Sequence, residues 1–284
     1  MITFLGTGLL GANFTRALLR KGLEVNVWNR TPEKASILES DGAKAFTVLT
    51  EAVKGANRIH LTLSDDQAVD EVLEQAATGF EPEVIIIDHT TTSAPGAARR
   101  SAYWKSGGHH YIHAPVFMGP PNALDSTGVM LVSGDQQTIK LLEPELSRMT
   151  GKLWNLGDKP DKAASIKLLG NLFHICLTGS VADLLVLASS LDVPESELNS
   201  LLELLNPTAV AQGRLKKITS KTFDEPSWEL SMARKDARLM IEQTETRGKS
   251  LMVVPAVAAK MDLWLKKGHG KNDWTILSED PDQA

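Results

Sequence analysis

The chain has 284 residues, 42% of them apolar and 23% charged, with a formal net charge of −5. That length allows one large domain or two moderate ones, and mild acidity without blocks of like charge argues against a nucleic-acid partner. One cysteine, Cys176, excludes a disulfide within the chain and suits a reducing compartment.

Met1 leads straight into "ITFLG" with no basic flank or long apolar core, so no signal peptide is read. The most apolar run, "SVADLLVLASSL", is short for a bilayer and broken by Asp183. A soluble cytoplasmic protein without a membrane partner is expected.

The first half alternates between short apolar runs and helical patterns. "ITFL" precedes "LLGANFTRALLRKG", and "EVNVW" precedes "TPEKASILESDG". "RIHLTL" precedes "DQAVDEVLEQAA", and "EVIIID" precedes "SAPGAARRSAYWKSGG". Strands separated by helices of this length imply right-handed βαβ units and a parallel sheet. "HYIHA" and "GVMLVSG" supply further strands, and "DQQTIKLLEPELSRM" another helix.

From about Asp161 the period-two signal gives way to helical spacing. The helices expected there are "KAASIKLLGNLFHICLTGSVADLLVLASSL", "PESELNSLLELL", "EPSWELSMARKDARLMIEQTETRG" and "LMVVPAVAAKMDLWLKKG". The expected fold is an α/β Rossmann-type N-terminal domain over residues 1–160 and an all-α C-terminal domain over 161–284, joined by a long interdomain helix at 161–190. That helix would be about 40 Å long. It is apolar nearly all round, which suits burial at a domain or subunit interface and points to a homodimer. The closing "SEDPDQA" reads as a frayed tail.

Between the first strand and first helix, Gly6, Gly8 and Gly11 form G-x-G-x-x-G. The bare pattern is weak, but this context is the one a dinucleotide loop requires. Gly6 permits the tight turn, Gly8 lets the backbone approach a pyrophosphate, and Gly11 lets helix and strand pack closely. The helix N-terminus, with Leu9 and Leu10, then faces the anion. The second strand ends in "VWNRTPEK". Asn29 stands where an NAD site carries an acid for the ribose hydroxyl. Arg30 can fork the oxygens of a 2′-phosphate, Thr31 adds a hydroxyl, and Lys34 follows one turn on. NADP is therefore expected in preference to NAD.

In "SIKLLGNLF", Lys167 and Asn171 lie at i and i+4 on one helix face among apolar neighbours. Desolvation would lower the lysine pKa and make it a usable acid near neutrality. From spacing alone, a snorkelling surface lysine is the simpler reading.

Six ordered motifs alter that balance: "FLGTGLLG", "NRTPEK", "DHTTTSAP", "HAPVFMG", "KLLGN" and "KDARL". Over nearly its whole length the chain resembles the β-hydroxyacid dehydrogenases, which include 3-hydroxyisobutyrate dehydrogenases and glyoxylate–succinic semialdehyde reductases and are related to 6-phosphogluconate dehydrogenases. The resemblance implies an active site in the cleft between the two domains. It makes Lys167 the general acid/base and Asn171 a substrate-positioning residue. It also implies that Thr91 lies beside the nicotinamide, that Leu63 and Ser64 line the dinucleotide, and that Lys235, supported by Asp236, reaches the cofactor. The substrate class implied is a small aldehyde, ketone or β-hydroxyacid, reduced reversibly without a metal.

The chain departs from that family at one loop. Relatives read Asp-Ala-Pro-Val-Ser-Gly-Gly where this chain reads His113-Ala114-Pro115-Val116-Phe117-Met118-Gly119. Phe117, Met118 and Gly119 are expected to line the substrate, but the lining is bulkier and more apolar. That keeps an imine reductase with a more hydrophobic substrate as an alternative, although that group typically replaces the lysine. A non-catalytic NADP-binding protein is a second alternative. His109, His110 and His113 resemble a metal cluster, but strand alternation sends His110 to the opposite face. Trp228, Trp264 and Trp274 read as core or interface fillers.

Overall fold

The computed structural model describes residues 1–283; Ala284 lies outside them. The chain divides into two compact units, Met1–Asn171 and Leu172–Ala284. The division falls inside one helix.

The N-terminal unit runs β1 (Ile2–Leu5), α1 (Leu9–Arg20), β2 (Val25–Trp28), α2 (Pro32–Ser36), β3 (Lys44–Phe46), α3 (Leu49–Val53), β4 (Arg58–Leu61) and α4 (Asp66–Ala76). It continues with β5 (Ile85–Asp88), α5 (Ala94–Ser106), β6 (His110–His113), β7 (Val116–Phe117), α6 (Pro120–Asp125), β8 (Val129–Val132), α7 (Gln136–Leu146), β9 (Lys152–Asn155) and the start of α8 (Lys162–Ser190). A six-stranded parallel sheet has the order β3-β2-β1-β4-β5-β6. The order reverses between β1 and β4, and the crevice outside their C-terminal ends is where such sheets bind ligands. β7, β8 and β9 form a small second sheet.

The strands read as continuous apolar runs because both faces of the sheet are covered. In β5, Ile85 and Ile87 pack on one side with Phe4, Phe14 and Val27. Ile86 packs on the other with Leu61, Leu73 and Trp104. Truncating one such side chain to alanine typically costs about 2–5 kcal/mol. Three helices of this unit start on side-chain caps: Asp65 accepts from the Ala68 N–H, Ser93 from Gly96, and Asp135 from Gln137 and Thr138. α1 differs: its N-cap is Gly8, which has no side chain to offer.

The C-terminal unit contains the rest of α8, then α9 (Glu195–Leu205), α10 (Pro207–Ser220), α11 (Leu230–Glu245) and α12 (Val254–Lys266). Its core gathers Phe223, Leu230, Ala233, Met261, Trp264 and Ile276. Trp264 is a core filler, while Trp228 and Trp274 meet edge to face at 5.6 Å. Asp183, which interrupts the apolar run, accepts N–H bonds from Met252, Val253 and Val254 at 2.6, 2.8 and 3.0 Å, where the chain enters α12.

Two expectations need correction. The tail is turned rather than frayed: it forms a short 3-10 turn at Pro281–Gln283, and the Lys267 ammonium donates to the Pro281 carbonyl. In the single chain α8 leaves Leu169, Leu172 and Ile175 60%, 59% and 71% exposed. Taken whole, α8 is also long and apolar enough, by length and composition, to cross a membrane. The expectation against a span rested on only its C-terminal part.

Candidate active site

The glycine loop leaves β1 with Gly6 at φ +92°, a left-handed conformation that disfavours any side chain. A Cβ on Gly6 would lie 2.2 Å from the Thr62 carbonyl oxygen, and one on Gly11 would lie 2.0 Å from the Gly6 carbonyl oxygen. Those two glycines are demanded by the protein's own packing. A Cβ on Gly8 would meet nothing within 4 Å. The space in front of Gly8 is open, so packing within the fold does not require glycine there. A groove of about 290 Å³ runs there, lined among others by Thr7, Gly8, Leu9, Arg16 and Lys34. Lys34, together with Arg16 (paired with Asp41 at 2.8 Å) and an uncapped helix N-terminus, makes this groove fit an anionic dinucleotide.

Asn29 is already engaged. Its side-chain oxygen accepts the Thr7 N–H at 3.0 Å, and its amide donates to the Thr31 carbonyl at 3.0 Å. It thereby ties the glycine loop to the end of β2, leaving Arg30 exposed beside it. Leu10 packs against the core instead, whereas Leu9 is 80% exposed at the groove.

The loops after β1, β4 and β5 are pinned together. The Thr62 hydroxyl donates to the Gly6 carbonyl at 2.7 Å, and the Leu63 N–H donates to the Thr90 hydroxyl at 3.0 Å. The Thr90 N–H donates to Asp88, which also accepts from the Tyr111 hydroxyl at 2.5 Å. Arg100, itself paired with Asp66, donates to that hydroxyl. Leu63, Ser64 and Thr91 thus stand on one braced rim at the strand ends, with Ser64 and Thr91 exposed. Sequence reading missed this bracing network, because its members are scattered over residues 6–111 and carry no shared motif.

His113 ends β6 with its Nε2 2.9 Å from the Thr90 carbonyl, and it bridges to Ser133. Burial lowers its pKa, keeping it neutral. His110 turns instead to the Thr138 hydroxyl. Among the described residues no three His, Cys, Asp or Glu side chains are grouped to hold a metal ion. Ser133 in turn accepts the Ala163 N–H at 2.9 Å, which anchors the first turn of α8 to the sheet end.

One turn further along α8 stands Lys167. It is 8% exposed, and burial lowers its pKa below the usual lysine range. The snorkelling reading is therefore excluded. Its ammonium lies 4.5 Å from the centroid of the Phe117 ring. That ring sits against Gly170, where a Cβ would fall 2.2 Å from its Cζ. The rest of the loop turns elsewhere: Met118 packs on the core of the N-terminal unit, and the Gly119 N–H donates to the Asn122 side chain at 2.9 Å. Of the three loop residues, Phe117 is the one whose ring meets the Lys167 ammonium. Asn171 is half-buried on the same helix face. Lys235 lies on α11, paired with Asp236 at 2.8 Å, and its cofactor role rests on the resemblance alone.

Size does not mark this site. A larger cavity, about 640 Å³, is lined by Met1, Asn57 and Arg58 at the starting ends of β1 and β4, away from the glycine turn.

A parallel sheet whose strand order reverses at a phosphate-ready glycine turn, with a buried lysine on the helix that follows β9, is the framework of a dinucleotide-dependent oxidoreductase. Comparison with known proteins makes the class specific. Residues 1–157 match the NAD binding domain of 6-phosphogluconate dehydrogenase, and the chain belongs to that family, in its β-hydroxyacid dehydrogenase-like branch. It is 26% identical to an NADPH-dependent reductive aminase of Aspergillus oryzae, over 98% of this chain and 96% of that one. It is 24% identical to 3-sulfolactaldehyde reductase of Escherichia coli, over 98% and 94%. In fold it resembles an imine reductase from Myxococcus stipitatus in complex with NADP+, with a TM-score of 0.86 and 19% identity, covering 98% of both chains. The protein is an NAD(P)-binding oxidoreductase.

Proposed function

We propose that the protein reduces the carbonyl of a small aldehyde or ketone, or oxidises the corresponding alcohol or β-hydroxyacid, with Lys167 as the general acid/base. The observation that carries this reading is the burial of Lys167, with a depressed pKa, on the helix face it shares with Asn171. The cofactor, when bound, supplies or accepts the hydride. Lys167 donates a proton to the nascent alkoxide, and its charge stabilises that oxygen as it develops. In the reverse direction the neutral amine takes the alcohol proton. Asn171 orients the oxygen. Gly8 and the α1 N-terminus hold the pyrophosphate, and Leu63, Ser64 and Thr91 line the nicotinamide end.

NADP is preferred in this reading. Asn29 presents no charge to a 2′-phosphate and is held by Thr7 and Thr31, so Arg30 and Lys34 are left to meet it. The ratio of kcat/KM for NADPH over NADH is expected to exceed about ten, and a preference for NADH would overturn the assignment. Substituting Lys167→Ala should lower kcat about 100-fold while NADPH binding, read by its fluorescence, persists. Near-normal turnover in that variant would remove the lysine from the chemistry.

An imine substrate is the second reading. The apolar Phe117 wall favours it, as do the relatives named for reductive amination and imine reduction. A matched panel of ketones and cyclic imines with NADPH separates the two. We also infer a homodimer formed through α8, from the apolar residues it exposes.

A further inference from the structure

We propose that Phe117, seated on Gly170 beside the Lys167 ammonium, is a specificity-determining residue that selects a neutral, apolar carbonyl compound and rejects one carrying a carboxylate near the reacting carbon. The inference rests on Lys167 being the acid of the reaction.

The loop after β6 presents no side-chain hydrogen-bond donor to an anion at three consecutive positions. The Phe117 side chain offers no donor, and its ring presents a face of negative quadrupole. Met118 is turned into the core. The Gly119 N–H is occupied by Asn122 at 2.9 Å. A carboxylate placed here would be stripped of water without replacement bonds, which is costly. A counter-charge close by would be Lys167 itself, 4.5 Å from the ring centroid. An anion paired to that ammonium would draw the proton donor away from the carbonyl it must protonate. A neutral substrate makes no such competition. Its apolar part covers the ring, its oxygen meets Lys167, and the half-buried Asn171 supplies a neutral hydrogen-bonding partner.

Gly170 belongs to the same device. Any side chain there would collide with the ring tip, at 2.2 Å from Cζ and 2.5 Å from Cε1. Phe117 can occupy its place because position 170 is glycine. The pair therefore fixes where the aromatic wall stands relative to Lys167.

The test compares 4-oxobutanoate with its methyl ester, which differ mainly in charge, using the full-length protein and NADPH. The ester is expected to show at least about tenfold higher kcat/KM. Phe117→Ser should narrow or reverse that ratio by raising turnover of the acid, with the KM for NADPH unchanged. Phe117→Leu keeps an apolar wall and should keep the ester preference, which guards against a serine variant that merely folds poorly. A wild-type preference for the free acid, or a ratio that Phe117→Ser leaves untouched in a folded protein, overturns the proposal while leaving the reductase reading intact. If neither compound, nor any ketone or aldehyde in a broad panel, is reduced although NADPH binds, the reductase reading itself fails and this inference with it.

Discussion

Gly8 and Gly11 stand three positions apart in one motif, yet the structure gives them different obligations. Gly11 is held by protein atoms: a Cβ would lie 2.0 Å from one backbone oxygen and 2.3 Å from the Thr62 hydroxyl. Gly8 has an ordinary φ of −68° and open space around its Cα. Gly11→Ala is accordingly expected to destabilise the fold by about 1–3 kcal/mol, as overpacking does. Gly8→Ala should change unfolding free energy by less than about 0.5 kcal/mol and yet weaken dinucleotide binding at least tenfold. Denaturant unfolding and NADPH titration of both variants check this, and equal stability losses would show that the loop serves only packing. The glycine spacing was legible in the sequence, because turn, helix and strand leave a local signature. Which glycine answers to ligand and which to fold was not, because that depends on Thr62, more than fifty positions away. Lys167 shows the same limit. Its neighbours suggested apolar surroundings, but only the ring of Phe117 and the docking of α8 on Ser133 show that it is desolvated.

At the scale of elements, the long and strongly patterned ones were readable. The strands β1, β2, β4 and β5 and the helix α8 carried distinct apolar runs, and the helices α1, α4 and α5 lay between the strands at helical length. Those missed are short or lack a buried face. β9 is almost wholly exposed, β3 has three residues, and α10 buries none of its side chains. Also invisible was the polar seam between β4 and β5. His60 Nδ1 lies 2.9 Å from His89 Nε2, and His89 Nδ1 lies 2.8 Å from the Ala114 carbonyl, among the rings of Phe4 and Phe14. Because Nδ1 donates to that carbonyl, Nε2 of neutral His89 is the acceptor and His60 the donor. Burial first, and His60 second, push the His89 pKa down from 6.5 to about 3. The unfolded chain therefore binds a proton that the folded chain refuses as pH drops below about 6.5. Stability from this group is complete above that value and declines toward pH 3 by up to about 1.4 kcal/mol per unit. Between pH 6.5 and 5 the wild type should lose stability as it is acidified. His89→Met, which suits the aromatic surroundings, should show a shallower slope even if its stability at pH 8 is lower. Parallel slopes in urea unfolding would rule out a titrating role for His89.

For the molecule as a whole, α8 poses the sharpest question. Its apolar residues Leu169, Leu172, Phe173 and Ile175 are all more than half exposed in the single chain, a contiguous surface that a soluble monomer rarely leaves open. A bilayer would satisfy such a surface, but Asp183 argues against lipid. Burial pushes its pKa up, and three N–H bonds from Met252, Val253 and Val254 more than reverse the shift, keeping it an anion. An ionised carboxylate serving the start of α12 needs protein around it, not hydrocarbon. A second copy of the chain supplies apolar cover of the same chemistry, and self-association through one patch closes naturally as a two-fold dimer. Light scattering is expected to give twice the 30.8 kDa chain mass. The unfolding midpoint should rise with protein concentration, since association stabilises the folded chain by mass action. Ile175→Asp, at the most exposed of these positions, should shift the protein toward the monomer mass and remove that concentration dependence. A wild-type monomer would eliminate the dimer. Co-flotation of wild type with lipid vesicles, abolished by the same substitution, would return α8 to the membrane.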